Sequence, residues 1–218
     1  MKRSLVQRTA LALLFVLVLV SPSTVTAQEA TPPAASASAS AARPACATTS
    51  RAAGTPTSMP ASSPTPERAT TLADWQTIAL TDARTGDAYT LGDFVGCTVF
   101  VETMATWCSN CRAQLEYVAT AAKELDPDQF VFIAISVETE ISNDDLARYA
   151  DDAAFDWLFS VATPDALKAI VDEFGRESIV PGSTPHVIVR PDGTYDDLHT
   201  GFSKPDEIVT LMKDASGT

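Results

Sequence analysis

Phe100-Val101-Glu102-Thr103-Met104-Ala105-Thr106-Trp107-Cys108-Ser109-Asn110-Cys111 is the stretch on which the reading of this chain turns. Its first half belongs to a β-rich run, Cys97–Thr103, and predicts a strand. Its second half opens a helical pattern. Ala113 or Leu115, then Val118, Ala119, Ala122 and Leu125, recur every three or four residues, so a helix is expected over Cys108–Leu125. A helix starting at Cys108 sets that sulfur against backbone N–H groups without partners, at the positive end of the helix dipole. A thiolate is stabilised there and becomes a nucleophile toward disulfides. Cys111 follows one turn later on the same face, placed to attack the resulting mixed disulfide and release the partner. The spacing therefore points to a redox pair. Zinc binding would call for a second Cys/His pair at compatible spacing. Cys46, Cys97, His186 and His199 are scattered, so no metal site is expected. An inert disulfide closing so short a loop would restrict the unfolded chain little.

Working outward, Thr77–Leu80 and Ala88–Leu91 flank a turn signal from Asp82 to Asp87 and predict a leading β-hairpin. Phe130–Val137 is almost uniformly apolar, as in a parallel strand covered on both faces. Ser142 or Asn143 caps a helix running to about Ala153. Trp157–Val161 reads as a strand, and Pro164 opens a helix that ends near Gly175. Val187–Arg190, the Asp192-Gly193 turn and Tyr195–Thr200 read as an antiparallel hairpin. A last helix begins at Ser203 or Lys204 and runs toward Met212. This order predicts an α/β domain whose mixed central sheet is flanked by helices on both faces.

The 218 residues do not all read as folded. In residues 1–27, Lys2, Arg3 and Arg8 precede an apolar run, Leu11–Val20, and a small-residue Val25-Thr26-Ala27 site, the pattern of an export signal. An uncleaved anchor is the alternative, since Leu5 and Val6 lengthen the apolar run. Residues 28–70 are rich in Ala, Ser, Thr and Pro and are expected to form a disordered tether. Residues 71–218 remain as one domain of ordinary size. Nine of the 15 basic residues and 26 of the 28 acidic ones fall in 69–218, a balance of −17. So acidic a surface argues against nucleic acid and anionic lipid as partners.

The Phe100–Cys111 run resembles the active-site segment of thioredoxin-fold proteins. It most resembles the exported TlpA/ResA-like thiol–disulfide oxidoreductases of the redoxin (AhpC-TSA) superfamily. The resemblance extends over about residues 72–214, taking in the leading hairpin, the Cys motif, Thr184-Pro185 and the Asp192-Gly193 turn. It implies a thioredoxin-like fold and, outside the cytoplasmic membrane, a reductant for cytochrome c maturation or other disulfide-bearing partners. Pro185 then matches a cis-proline lying against the cysteines, with the Thr184 backbone free to pair with an extended partner peptide. A trans proline opening a strand is the alternative. Glu102 stands where an apolar strand residue is expected. A buried carboxylate there has a raised pKa and can take the proton of Cys111, as thioredoxins do with an acidic residue at the matching place. Strand alternation also allows Glu102 to face solvent. Trp107 is expected to shield the disulfide and contact the partner, or to fill the core. Gln114 departs from the pattern, since some ResA-like proteins carry a carboxylate three residues after the second cysteine. Arg112 reads as a solvated helix residue.

With Cys108 and Cys111 paired, Cys46 and Cys97 are the complement, although Cys97 also reads as a buried apolar residue. Two rival functions share features with this chain. A peroxiredoxin would carry Pro-x-x-x-Thr-x-x-Cys, which is missing before Cys108. A copper module would join the two thiols to a histidine, for which His186 is the candidate. The reading is an exported, monomeric thiol–disulfide oxidoreductase without a cofactor, since no nucleotide-binding glycine motif is evident. Its expected partners are disulfide or dithiol proteins and a membrane or exported electron donor.

Overall fold

The computed structural model describes residues 71–217, so the export signal and the tether expected before them lie outside the described residues. The chain enters through a helical turn, α1 (Asp74–Thr77), and a two-stranded antiparallel pair, β1 (Leu80–Thr81) and β2 (Ala88–Tyr89). This pair is shorter than the hairpin expected from sequence, because Thr77 belongs to the helical turn. Asp82 closes the intervening turn. Its carboxylate accepts from the Arg84 N–H and the Thr85 hydroxyl, and its carbonyl accepts from the N–H of Gly86, which adopts φ 76°.

The main sheet has the order β5-β4-β3-β6 and contains β3 (Thr98–Met104), β4 (Phe130–Ser136), β5 (Leu158–Val161) and β6 (His186–Val189). β3 pairs β4 in parallel from Thr98↔Phe130 to Met104↔Ser136, β4 pairs β5 in parallel, and β6 runs antiparallel to β3. Every residue of β3 and β4 is buried. Side chains alternate between two cores. Phe100, Met104, Phe132 and Ile188 meet α2 (Ser109–Ala122), α3 (Asn143–Asp152) and α5 (Pro205–Ser216). On the opposite face, Val99, Val101, Ile133 and Val187 meet Trp75, Tyr89, Phe94 and α4 (Pro164–Phe174). The sheet is therefore mixed and covered by helices on both sides, as the sequence predicts.

Caps explain the helix limits. The Ser142 side chain accepts from Asp145 N–H, and that of Thr163 accepts from Ala166 N–H with Pro164 at the first helical position. α4 stops at Gly175, which takes φ 78°. The expected second hairpin is reduced. After the Gly193 turn, Tyr195–Thr200 touches β6 only through isolated bridges, Val189↔Tyr195 and His186↔His199. Asp196 is turned toward an ion pair with Arg190, and no continuous ladder forms.

Candidate redox site

The site lies where β3 ends and α2 begins. Cys108 is the N-cap of α2, and its Sγ accepts a hydrogen bond from the Cys111 N–H at 3.1 Å. A sulfur thus occupies the place usually held by a Ser, Thr, Asp or Asn oxygen, against the unpaired donors of the first turn. Both cysteines are free thiols and both are buried. The Cys111 thiol donates to the Pro181 carbonyl at 3.1 Å. Burial first, and then the adjacent Cys108 sulfur, push the Cys111 thiol well above its ordinary range, so it is held protonated.

Pro181 lies in a short 3₁₀ turn, Pro181–Ser183, that α2 fastens from below. Asn110 Nδ2 donates to the Gly182 carbonyl at 2.9 Å. The Thr184–Pro185 bond is trans, since the described residues contain no cis peptide, which corrects the cis geometry implied by the family resemblance. The chain reverses instead through Thr184 itself, which adopts the left-handed conformation at φ 47°, ψ 58°. Its backbone is not free for a partner strand. The N–H donates to Pro181 O, and the carbonyl accepts from His186 Nδ1, each at 2.9 Å. Both Thr184 and Pro185 are buried. The expected docking edge is thus closed internally.

His186 and Gln114 continue this polar chain, and sequence reasoning gave neither a place in it. The Thr184 carbonyl can only accept, so His186 Nδ1 carries the ring proton and Nε2 accepts from Ser203 Oγ at 3.0 Å. Burial lowers the His186 pKa to about 4, so the ring is neutral. Gln114 grips the same serine's backbone, accepting from Ser203 N–H at 3.0 Å and donating to its carbonyl at 3.1 Å. Hydrogen bonds therefore run from Cys111 through the 181–184 turn and His186 to Ser203, and return to α2 at Gln114. A carboxylate at position 114 would meet the Ser203 carbonyl as a second acceptor, which accounts for an amide here.

Glu102 is opposite His186 in the β3–β6 register and shares a face with Phe100 and Met104, toward α2. Only 1% of it is exposed, and neither carboxylate oxygen has a hydrogen-bond partner. Burial, and secondarily the Cys108 sulfur, raise its pKa well above the usual carboxylate range. The solvent-facing alternative is thereby set aside. Trp107, by contrast, is 70% exposed and fills no core. Val180 and Phe202 are also exposed, on segments that contact the 181–184 turn and Gln114. Arg112 is not simply solvated: its guanidinium lies over the rings of Tyr149 and Phe155 and pairs with Glu116.

Cys97 is buried immediately before β3 and is disulfide-bonded, not a free apolar residue. Its partner falls outside the described residues, as does Cys46. Among the described residues no group of three or more His, Cys, Asp or Glu side chains is arranged to hold a metal ion. Both ring nitrogens of His186 face internal partners, so it presents no donor to the thiols.

No protein-family model matches the chain, and no curated protein matches it either. Solved structures do. The pneumococcal exposed lipoprotein thioredoxin Etrx1 from Streptococcus pneumoniae aligns at 23% identity and a TM-score of 0.51, over 63% of this chain and 98% of that one. A thiol:disulfide interchange protein of the thioredoxin family from Chlorobium tepidum aligns at 18% and 0.51, over 63% and 92%. Copper-bound ScoI from Arabidopsis thaliana aligns at 16% and 0.52, over 64% and 96%. These likenesses establish the fold: the domain is thioredoxin-like.

Proposed function

We propose that this chain is an exported thiol–disulfide oxidoreductase that reduces disulfides in partner proteins through Cys108 and Cys111. The observation that carries the reading is the Cys108 sulfur capping α2 with the protonated Cys111 thiol buried beneath it. The Cys108 thiolate attacks one sulfur of the partner disulfide, forming a mixed disulfide and releasing the other partner sulfur as a thiolate that takes up a proton. Glu102, in its ionised form, then takes the proton of Cys111 while the Cys111 sulfur attacks Cys108 Sγ. The Cys108–Cys111 disulfide forms and the second partner sulfur leaves as a thiolate that takes up a proton. The partner gains two electrons and the chain loses two.

Glu102 suits this role because a carboxyl with raised proton affinity is a stronger base once ionised, and both its oxygens are unengaged. The reducing direction is part of the proposal, and the reduction potential of the pair decides it. Partner contact is assigned to the exposed Trp107, Val180 and Phe202, in place of a backbone edge at Thr184. Export is supported by the disulfide at Cys97, a bond that persists in oxidising compartments. The test is trapping. Incubated with insulin, the Cys111→Ser protein accumulates a mixed disulfide through Cys108, and Cys108→Ser accumulates none. Equal trapping by both variants would reject the assignment.

A further inference from the structure

Trp107 raises a question about the turn it occupies. Ala105–Cys108 is a reverse turn closed by the Cys108 N–H donating to Ala105 O at 3.0 Å, and it sets where the Cys108 sulfur lies. One of its two central residues, Trp107, is largely in solvent. The other, Thr106, is held from a different element. Glu138, two residues past the end of β4, accepts the Thr106 N–H on Oε2 at 2.5 Å and the Thr106 hydroxyl on Oε1 at 3.1 Å. Glu138 is itself tied down. Its N–H donates to Ser136 Oγ at 3.2 Å, and that hydroxyl donates back to Oε2 at 3.3 Å. Alongside, the Val137 N–H donates to Met104 O at 2.9 Å and fixes the two strand ends together.

We propose that Glu138 is a positioning residue for Cys108, clamping the turn that presents the nucleophilic sulfur to a partner disulfide. The inference rests on the reading of Cys108–Cys111 as an exchanging pair. Hydrogen bonds to a carboxylate are about twice as strong as neutral ones, and both of these converge on one residue of a four-residue turn. Without them, the Thr106 N–H seeks water and the turn is closed only by the Cys108–Ala105 bond. The sulfur then samples positions away from the helix terminus, and fewer encounters place it in line with a disulfide. Glu138 touches neither sulfur nor partner. It acts through Thr106.

The test uses the full chain with Glu138→Ala and Glu138→Gln. Three quantities are read: the rate of mixed-disulfide formation with insulin, the equilibrium constant of the Cys108–Cys111 pair against glutathione, and the melting temperature. Glu138→Ala is expected to slow mixed-disulfide formation on the order of tenfold, the loss of a charge-assisted hydrogen bond, and to change the glutathione equilibrium several-fold. Glu138→Gln retains an acceptor for the Thr106 N–H and recovers most of the rate. If Glu138→Ala lowers only the melting temperature, with rate and equilibrium unchanged in the folded protein, the clamp is structural and the proposal is overturned. A glutamine variant as slow as the alanine one overturns it as well. Should Glu138→Ala fail to fold, Thr106→Val removes the hydroxyl arm alone, and an unchanged rate there counts against the clamp. A wild-type chain without any reversible couple would instead remove the exchange reading itself.

Discussion

Replacing Glu102 by Gln should stabilise the reduced protein at neutral pH, by an amount that grows with pH. Glu102 is fully buried, its two oxygens lack partners, and burial raises its pKa well above the ordinary value of about 4.3. The folded state therefore holds this proton more tightly than the unfolded chain does. Stability that depends on the neutral carboxyl is complete below about pH 4 and is lost as pH rises through the folded-state value. In that window the loss proceeds at up to about 1.4 kcal/mol per pH unit. Gln has the same shape and does not titrate. From pH 4.5 upward the gap between Glu102→Gln and wild type should widen until the pH passes the folded-state value. With a urea slope of about 2 kcal/mol/M, each pH unit inside that window separates the midpoints by up to about 0.7 M. His186 titrates in both proteins, so its contribution cancels in the difference. Urea unfolding under reductant at half-unit pH steps is the assay. A gap that stays constant over this range would refute the argument, because the carboxyl would then carry the same proton affinity folded and unfolded.

The remaining predictions concern the surroundings of the pair. His186 has its pKa lowered to about 4, so its folded state takes up a proton later than the unfolded chain as pH falls. Wild type should lose about 3 kcal/mol between pH 6.5 and 4 through this group, and His186→Asn should lack that slope in chemical unfolding at the two ends of the range. Gln114→Ala strips both partners from the Ser203 backbone. It should cost about 1–3 kcal/mol and speed exchange of the Ser203 amide proton, measured by hydrogen–deuterium exchange. Phe159→Ala opens a cavity in the core under α3, where Phe159 is completely buried. Urea unfolding should show a loss of about 3–5 kcal/mol with no change in the glutathione equilibrium of the cysteines.

Sequence patterns located α2 to α5 and the four principal strands, because burial on one face or two and the capping residues set them, whereas the short α1 was read as strand at Thr77. The apolar Phe130–Val137 run was legible as a covered parallel strand for that reason, and β4 occupies Phe130–Ser136. Cys108 was legible as a helix start because the strand-to-helix change falls on it. Glu102 was conspicuous as a charge in an apolar run. What the sequence concealed depends on contacts between distant segments. Nothing near Gln114 indicates that it will grip Ser203, 89 positions away, or that His186 will spend both nitrogens on the chain around it. Glu138 reads as the polar end of a strand until β3 and β4 are aligned and Thr106 falls beside it. Thr184-Pro185 misled in the opposite sense. The dipeptide allowed either isomer, and the resemblance chose cis. The left-handed turn at Thr184 gives the chain its reversal with a trans bond.

The central claim is that Cys108 and Cys111 form one reversible couple, and a redox titration of the full chain tests it most directly. Protein equilibrated across glutathione and dithiothreitol buffers is trapped with an alkylating reagent, and the modified cysteines are identified by mass spectrometry. The account predicts that Cys108 and Cys111 exchange two electrons together while Cys97 stays bonded, with a midpoint near that of thioredoxin, about −270 mV. A midpoint near −120 mV, as in strongly oxidising exported proteins, would contradict the reducing direction. The absence of any reversible Cys108–Cys111 couple would contradict the account as a whole.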